Sequence, residues 1–158
     1  MKMFGRTVAG AALGIVAATL AWPAMFSVAY GSNTGMTFAY GLSKLPEFFF
    51  ILLIFAGPGA LVLSCLHALL MARWAPRART RGQIRTVAIL VGILLGVANL
   101  MLVLEAVSLI WGRGPARGSF YSPAMTPWLI PAAAGGAGAG WGVTLGLKPG
   151  LSEEEVRP

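Results

Sequence analysis

Four long apolar runs, separated by short polar segments, take up nearly all of this 158-residue chain. They cover about residues 7–30, 47–71, 84–111 and 128–147. A helix of about 20 predominantly apolar residues crosses the hydrocarbon core of a bilayer and satisfies its own backbone hydrogen bonds. The pattern therefore predicts an all-α, polytopic membrane protein whose four transmembrane helices pack as a bundle.

The charge content agrees with this fold class. Charged residues make up 11% of the chain, whereas a soluble domain carries about a quarter. The apolar runs leave no room for a separate soluble domain. We expect one membrane domain over 1–148 and a short charged cytoplasmic tail over 149–158.

The first and last runs each have a second interpretation. The first follows Lys2 and Arg6 and contains Ser27-Val28-Ala29, so residues 1–29 could be a cleaved signal peptide. Its length and the later runs favour an uncleaved helix. The last run contains nine consecutive Ala or Gly residues at 132–140, which in water indicate a flexible linker. Apolar residues on both sides favour a spanning helix.

The basic residues predict the orientation, since cytoplasmic loops collect Lys and Arg. Four crossings with a cytoplasmic N-terminus place nine basic residues inside and three outside, so both termini are expected in the cytoplasm. The inner set is Lys2, Arg6, Arg73, Arg77, Arg79, Arg81, Arg85, Lys148 and Arg157. The outer set is Lys44, Arg113 and Arg117.

The second run is interrupted by Gly57-Pro58-Gly59. If the chain turned back there and the N-terminus were inside, the arginine-rich loop would lie outside. If the N-terminus were outside, eight basic residues would lie inside and four outside. A crossing helix with a bend fits the charges better. The candidate hinge residues are therefore Gly57, Pro58 and Gly59. One stripe of this helix is expected to face the interior of the bundle: Ala56, Ala60, Ser64 and His67.

The net charge of +7 does not indicate nucleic acid binding. Five arginines lie in one loop, where they act as a topology signal and can bind anionic lipid headgroups. These candidate headgroup-facing residues are Arg73, Arg77, Arg79, Arg81 and Arg85.

Small residues recur at helical spacing in three of the runs and predict close GxxxG-type packing between helices or between copies of the chain. The predicted stripes are Gly10, Gly14, Ala17 and Ala21; Gly92, Gly96, Asn99 and Ala106; and Gly138, Gly142 and Gly146.

Three polar residues inside apolar runs are candidate functional residues: Glu105, His67 and Asn99. An intramembrane acid is a functional hypothesis by default, although it can also serve as a structural ion-pair partner. Glu105 is expected opposite the Gly92/Gly96 face. His67 lies toward the other side of the membrane, so the two cannot form an acid–base pair. Asn99 is expected to hydrogen-bond across helices.

The sequence contains one Cys and one His and none of the common catalytic motifs. We therefore expect no metal site, no cofactor and no catalysis. The favoured interpretation is a non-catalytic accessory or assembly subunit that associates with other membrane subunits or with itself. The alternative is a small homo-oligomeric proton- or ion-coupled transporter or channel that uses Glu105. The wealth of Ala, Gly and Arg and the scarcity of Lys suggest a bacterial inner membrane.

Overall fold

The computed structural model of the chain describes residues 2–30, 34–110 and 123–149. Helix accounts for 91% of these residues, and they contain no strand. Three helical segments in the described ranges are long and apolar enough to cross a membrane: Met3–Ala29, Leu45–Arg77 and Arg81–Ala106. The prediction of an all-helical chain with helices of membrane-spanning length is confirmed.

The first helix, α1 (Met3–Tyr30), continues past the internal Pro23. A second helix, α2 (Thr34–Ser43), was not predicted from the sequence. It packs against α1 at Gly41, where an added Cβ would lie 2.8 Å from the Cα of Pro23. The small residue therefore allows α2 to fold closely against the C-terminal part of α1.

The second apolar run forms one helical segment in four parts. These are α3 (Leu45–Ile51), a π-helical turn (Leu52–Ala56), α4 (Gly57–Trp74) and a 3₁₀ turn (Ala75–Arg77). The segment continues beyond both ends of the predicted range 47–71. The dihedral angles of Ile51, Ala56 and Gly57 are all right-handed helical, so the chain does not turn back at this point.

At the start of helix α5 (Arg81–Ile110), side-chain oxygens accept hydrogen bonds from backbone N–H groups. The backbone N–H of Gln83 donates to Thr80 Oγ1 at 3.2 Å, and the N–H of Arg79 donates to Gln83 Oε1 at 2.9 Å. This exchange resembles a capping box and fixes the start of the helix. Trp111, the last residue of the predicted range, lies outside the described residues.

The fourth apolar run forms a 3₁₀ segment (Pro123–Trp128) followed by helix α6 (Leu129–Val143). The predicted helix 128–147 therefore ends early, and Gly146 lies beyond it with a left-handed φ of 75°. Fifteen helical residues extend about 22 Å, less than the roughly 30 Å hydrocarbon thickness. Residues 150–158 of the predicted tail and the loop with Arg113 and Arg117 are outside the described ranges.

Glycines allow α6 to pack between α1 and α5. On one side an added Cβ at Gly138 or Gly142 would lie 2.6 Å from the carbonyl oxygen of Leu13 or Ala9 in α1. On the other side a Cβ at Gly136 or Gly140 would overlap the backbone of α5. At 100° per residue these two faces are roughly 160° apart. The backbones of three helices therefore approach closely without intervening side chains.

The direction of α6 follows from its neighbours in α5. Gly96 approaches Ala132, Gly92 approaches Gly136, and Ala88 approaches Gly140, so residue numbers rise along one helix as they fall along the other. The same opposition holds between α6 and α1. Helix α6 is therefore antiparallel to both. Ala106, which was expected on the same face as Gly92 and Gly96, is exposed instead.

Candidate functional site

The candidate site is a partly open cavity of about 370 Å³, lined by residues of all six α-helices, α1 to α6, of the described chain. Its walls come from α1, α2, the helical segment over 45–77, α5 and α6. Most of the lining side chains are apolar, among them Ile51, Leu63, Leu95 and Val103. A cavity of this size lies within the range of about 300–1,000 Å³ found for small-molecule sites.

A π-helical turn forms part of the cavity wall just before the predicted hinge residues. Gly57 donates its N–H to the carbonyl of Leu52, five residues back. Because Pro58 has no N–H to donate, the wider turn accommodates the proline without interrupting the segment. The side chain of Pro58 is exposed, whereas Ala56 and Ala60 line the cavity. The Gly57–Gly59 stretch is therefore the first turn of α4, directly after a π-helical turn and beside a cavity.

Aromatic rings close one end of the cavity. The indole of Trp22 stacks on Phe48 with ring centroids 3.6 Å apart and contacts Trp128 edge-on at 5.6 Å. Phe26 contacts Trp22 at 4.9 Å and Tyr40 at 5.5 Å. All five rings belong to lining residues. They connect α1, α2, α3 and the 3₁₀ segment before α6, so this end of the cavity is held together by four elements.

A surface ion pair lies at the same end. Lys44 Nζ donates to Glu47 Oε2 at 2.7 Å, and both side chains are exposed while also lining the cavity. The hydrogen bond to Glu47 raises the pKa of Lys44 above its usual value. The cavity therefore extends from an exposed, charged end to the buried interior.

Three polar residues lie deeper in the cavity wall. Ser64 and His67 on α4 are 2% and 1% exposed, and Asn99 projects from α5. His67 Nε2 and Asn99 Oδ1 are buried and have no hydrogen-bond partner among the described residues. The expected hydrogen bond of Asn99 across helices is therefore not made by this oxygen. The structure brings His67 and Asn99 to one cavity.

Glu105 is not one of the cavity-lining residues. Its neighbours Val103 and Leu104 face the cavity, whereas Glu105 is half-buried on another side of α5. Within the described ranges it makes no ion pair or hydrogen bond. Lys44, a basic residue expected on the same side of the membrane, pairs with Glu47. The structure thus separates the intramembrane acid from His67 and Asn99.

The five candidate headgroup-facing arginines, at 73, 77, 79, 81 and 85, are all exposed. The guanidinium of Arg85 lies 4.8 Å from the ring centroid of Trp141 in α6. Arg6 Nη2 donates to the carbonyl of Gly146 at 3.4 Å. These two cations lie at the C-terminal end of α6, where the helix dipole is negative, and so they stabilise that end.

Sequence patterns alone did not point to the aromatic end of the cavity. Trp22, Phe48 and Trp128 lie in three separate apolar runs, and no spacing rule connects them. Phe48 begins a run of bulky apolar residues in the sequence, and it is 4% exposed. Among the described residues, no group of three or more His, Cys, Asp or Glu side chains could hold a metal ion.

We compared the chain with known proteins and found no family to which it can be assigned. No protein-family model, curated protein or solved structure matches the chain. The function is therefore argued from the residues themselves.

Proposed function

We propose that this chain is a non-catalytic subunit of a complex in the bacterial inner membrane, where its four apolar segments cross the bilayer with both termini in the cytoplasm. The position of Glu105 supports this proposal most directly. The acid lies in a helix of membrane-spanning length, on a face that the described helices of the same chain leave uncovered.

That face is a continuous apolar stripe along α5. Its most exposed members, Leu94, Leu102 and Leu109, are 70%, 60% and 65% exposed. Leu102 and Leu109 stand three and four residues from Glu105, the spacing of neighbours on one helix face. Leu90 and Ala98 continue the stripe toward the start of the helix, and both are exposed. Glu105 therefore interrupts an otherwise apolar surface.

A carboxyl on such a surface needs a partner. Acidic residues in membrane spans are costly in lipid and usually face protein or water, where they pair with another polar group. Another membrane helix that brings a basic or hydrogen-bond-donating side chain to Glu105 would satisfy it. This is the chemistry of a subunit interface, formed with a different membrane protein or with a second copy.

The packing of α6 supports the proposal that the fourth segment also crosses the bilayer. Its glycines lie beside residues 9–18 of α1 and 88–96 of α5, in the interiors of two helices long enough to span. The 3₁₀ segment before α6 extends the helical run toward Trp22. A short helix of small residues is suited to the middle of such a bundle.

Assembly can be tested by extraction of the native membrane in mild detergent, with a differently tagged second copy present in the same cells. We expect a co-purifying membrane subunit or the second copy. Glu105→Gln should lower its retention roughly 3- to 30-fold, since an interhelical hydrogen bond in a membrane contributes about 0.6–2 kcal/mol. Glu47→Gln is the matched control, because Glu47 is exposed and pairs with Lys44. Recovery of monomer alone, or equal retention in both variants, would contradict the proposal.

A proton- or ion-coupled transporter or channel remains the second candidate, with Glu105 itself as its support. The same acid on an oligomer interface could line a path between copies of the chain. Reconstitution in liposomes with an internal pH-sensitive dye tests this. Ion or proton flux that Glu105→Gln abolishes, while expression stays intact, would favour transport. Flux that is unchanged by that substitution would exclude Glu105 as the coupling group.

A further inference from the structure

Unpaired polar atoms gather around the cavity. The described residues contain four buried side-chain nitrogen or oxygen atoms without a hydrogen-bond partner. Three of them, Trp22 Nε1, His67 Nε2 and Asn99 Oδ1, belong to residues that line the cavity. Leaving such groups unpaired in a buried position costs free energy. A cavity that concentrates them is therefore suited to a ligand that supplies the missing partners.

The two deeper atoms limit the chemistry of that ligand. Asn99 Oδ1 accepts a hydrogen bond, whereas a neutral imidazole nitrogen either donates or accepts according to its tautomer. A hydroxyl group can donate and accept at once, so it can satisfy either atom whichever tautomer His67 adopts. A simple carbonyl or ether oxygen, which cannot donate, would leave Asn99 Oδ1 unpaired.

The rest of the wall requires an apolar body. Aliphatic, aromatic and glycine residues make up nearly all of the lining apart from the deep polar residues and the exposed Lys44 and Glu47. A formally charged headgroup would have to be carried past this wall at a large desolvation cost. A neutral molecule carries no such penalty. The outer ion pair marks an exposed end through which it can enter.

We infer that the cavity binds a neutral, elongated amphiphile whose hydroxyl group pairs with His67 or with Asn99 while its hydrocarbon body lies along α4 and α5. This role does not depend on an interface at Glu105, which lies outside the cavity. The level of Asn99 is marked by its contact with Gly59, and His67 follows eight residues later on α4. Along the axis of α4, Asn99 and His67 are therefore about 12 Å apart at 1.5 Å per residue. We expect the hydroxyl to pair with one of these two groups at a time.

The test uses the full-length protein in lipid nanodiscs and hexadecanol that carries a photoreactive diazirine in its chain. The hexadecane that carries the same diazirine serves as the comparison probe. After illumination, labelled peptides are mapped by mass spectrometry, and unlabelled hexadecanol is added as competitor. We expect saturable labelling of cavity-lining segments by the alcohol, and weaker labelling by the alkane that the competitor does not reduce.

Substitutions locate the binding site. His67→Leu or Asn99→Leu should weaken competition by hexadecanol about 2- to 13-fold, the value of one hydrogen bond. Thr19→Val is the control, because Thr19 is a buried hydroxyl that bonds to the Ile15 carbonyl at 2.8 Å and does not line the cavity. Ala60→Leu should block the cavity and abolish labelling, whereas Ala12→Leu on an exposed face should not.

Three outcomes would overturn the inference. The first is equal, competable labelling by alcohol and alkane. The second is labelling that Ala60→Leu leaves unchanged. The third is labelling that maps outside the cavity. Competition in the wild-type protein decides between alcohol and alkane even if a substituted chain fails to fold.

Discussion

The side-chain oxygen of Asn99 on α5 lies directly against Gly59 on α4, so close that a Cβ at position 59 would overlap it. This contact joins the glycine-rich interruption of one helix to the polar residue near the middle of another. It also positions Asn99 at the cavity wall. The glycine after Pro58 therefore has a steric role: it leaves room for an amide group from the neighbouring helix.

Gly59→Ala should destabilise the protein by about 1–3 kcal/mol, the usual cost of adding a methylene to a filled contact. Because the obstructing atom is the end of a side chain, Asn99→Ala should relieve the clash. The double variant is then expected to be more stable than the sum of the single effects predicts. Thermal unfolding in detergent measures this. Additive effects of the two substitutions would contradict a direct contact.

Two glycines of α5, Gly92 and Gly82, differ in the space around them, so their alanine variants can be compared as test and control. A Cβ at Gly92 would overlap the backbone of α6 at Gly136, whereas at Gly82 the nearest atom is Thr80 Oγ1 at 3.7 Å. Gly92→Ala should separate α5 from α6 and destabilise the protein by about 1–3 kcal/mol. Gly82→Ala should be neutral or stabilising by up to about 1 kcal/mol. Equal melting temperatures for the two variants would show that α6 does not pack closely on α5.

Trp22→Ala removes the centre of the aromatic end of the cavity. The indole contacts the rings of Phe26, Phe48 and Trp128, and aromatic pairs contribute roughly 0.5–1.5 kcal/mol each. We therefore expect a loss of about 1.5–4.5 kcal/mol in the free energy of unfolding. Phe50→Ala is the control, because Phe50 is 60% exposed. A Trp22→Ala variant as stable as Phe50→Ala would show that the ring cluster does not hold these helices together.

Hydropathy predicts the long helices because crossing a bilayer depends on composition summed over many residues. The same reasoning overextended α6 to residue 147, because its flanking Leu145 and Leu147 are apolar although the helix has already ended at Val143. It also missed α2, a helix of ten residues that depends on its contact with Pro23. Apolar composition cannot reveal such tertiary support.

The candidate site was only partly predictable. His67 and Asn99 are conspicuous as polar residues in apolar runs, so composition alone identifies them. Their meeting at one cavity depends on how α4 and α5 are rotated and shifted against each other. Glu105 stands out in the sequence for the same reason as Asn99, yet six positions along the helix turn it through 600°, roughly 120° from Asn99 after full turns are removed. The rotation explains why the structure separates these residues.

Arg77 and Arg79 line a second surface cavity together with Trp74 and Gln83, and we expect anionic lipid headgroups to bind there. A Lys or Arg near an anionic membrane surface contributes about 1 kcal/mol, or roughly a fivefold change in affinity. Replacing both arginines with Gln should lower the association of spin-labelled phosphatidylglycerol by about 25-fold. Spin-labelled phosphatidylcholine is the internal control and should not respond. High salt should mimic the substitutions in the wild-type protein.

The orientation of the helices can be tested by labelling single cysteines in a Cys65→Ser background with a membrane-impermeant maleimide on spheroplasts. The charge distribution predicts that Gly82 lies in the cytoplasm and Leu42 outside. Leu42→Cys should therefore react in intact spheroplasts, whereas Gly82→Cys should react after permeabilisation. A re-entrant segment between the two would leave both on the same side.

The fourth crossing is tested by a third position, Lys148, which follows α6 and is exposed. Because α6 is antiparallel to α5 and ends beside Arg6 and Arg85, Lys148→Cys should be labelled under the same conditions as Gly82→Cys. Reaction of Lys148→Cys in intact spheroplasts, together with protection of Gly82→Cys, would show that α6 does not carry the chain back to the cytoplasm. Three crossings would place Lys148 and Arg157 outside, so the basic residues would then be divided seven inside against five outside.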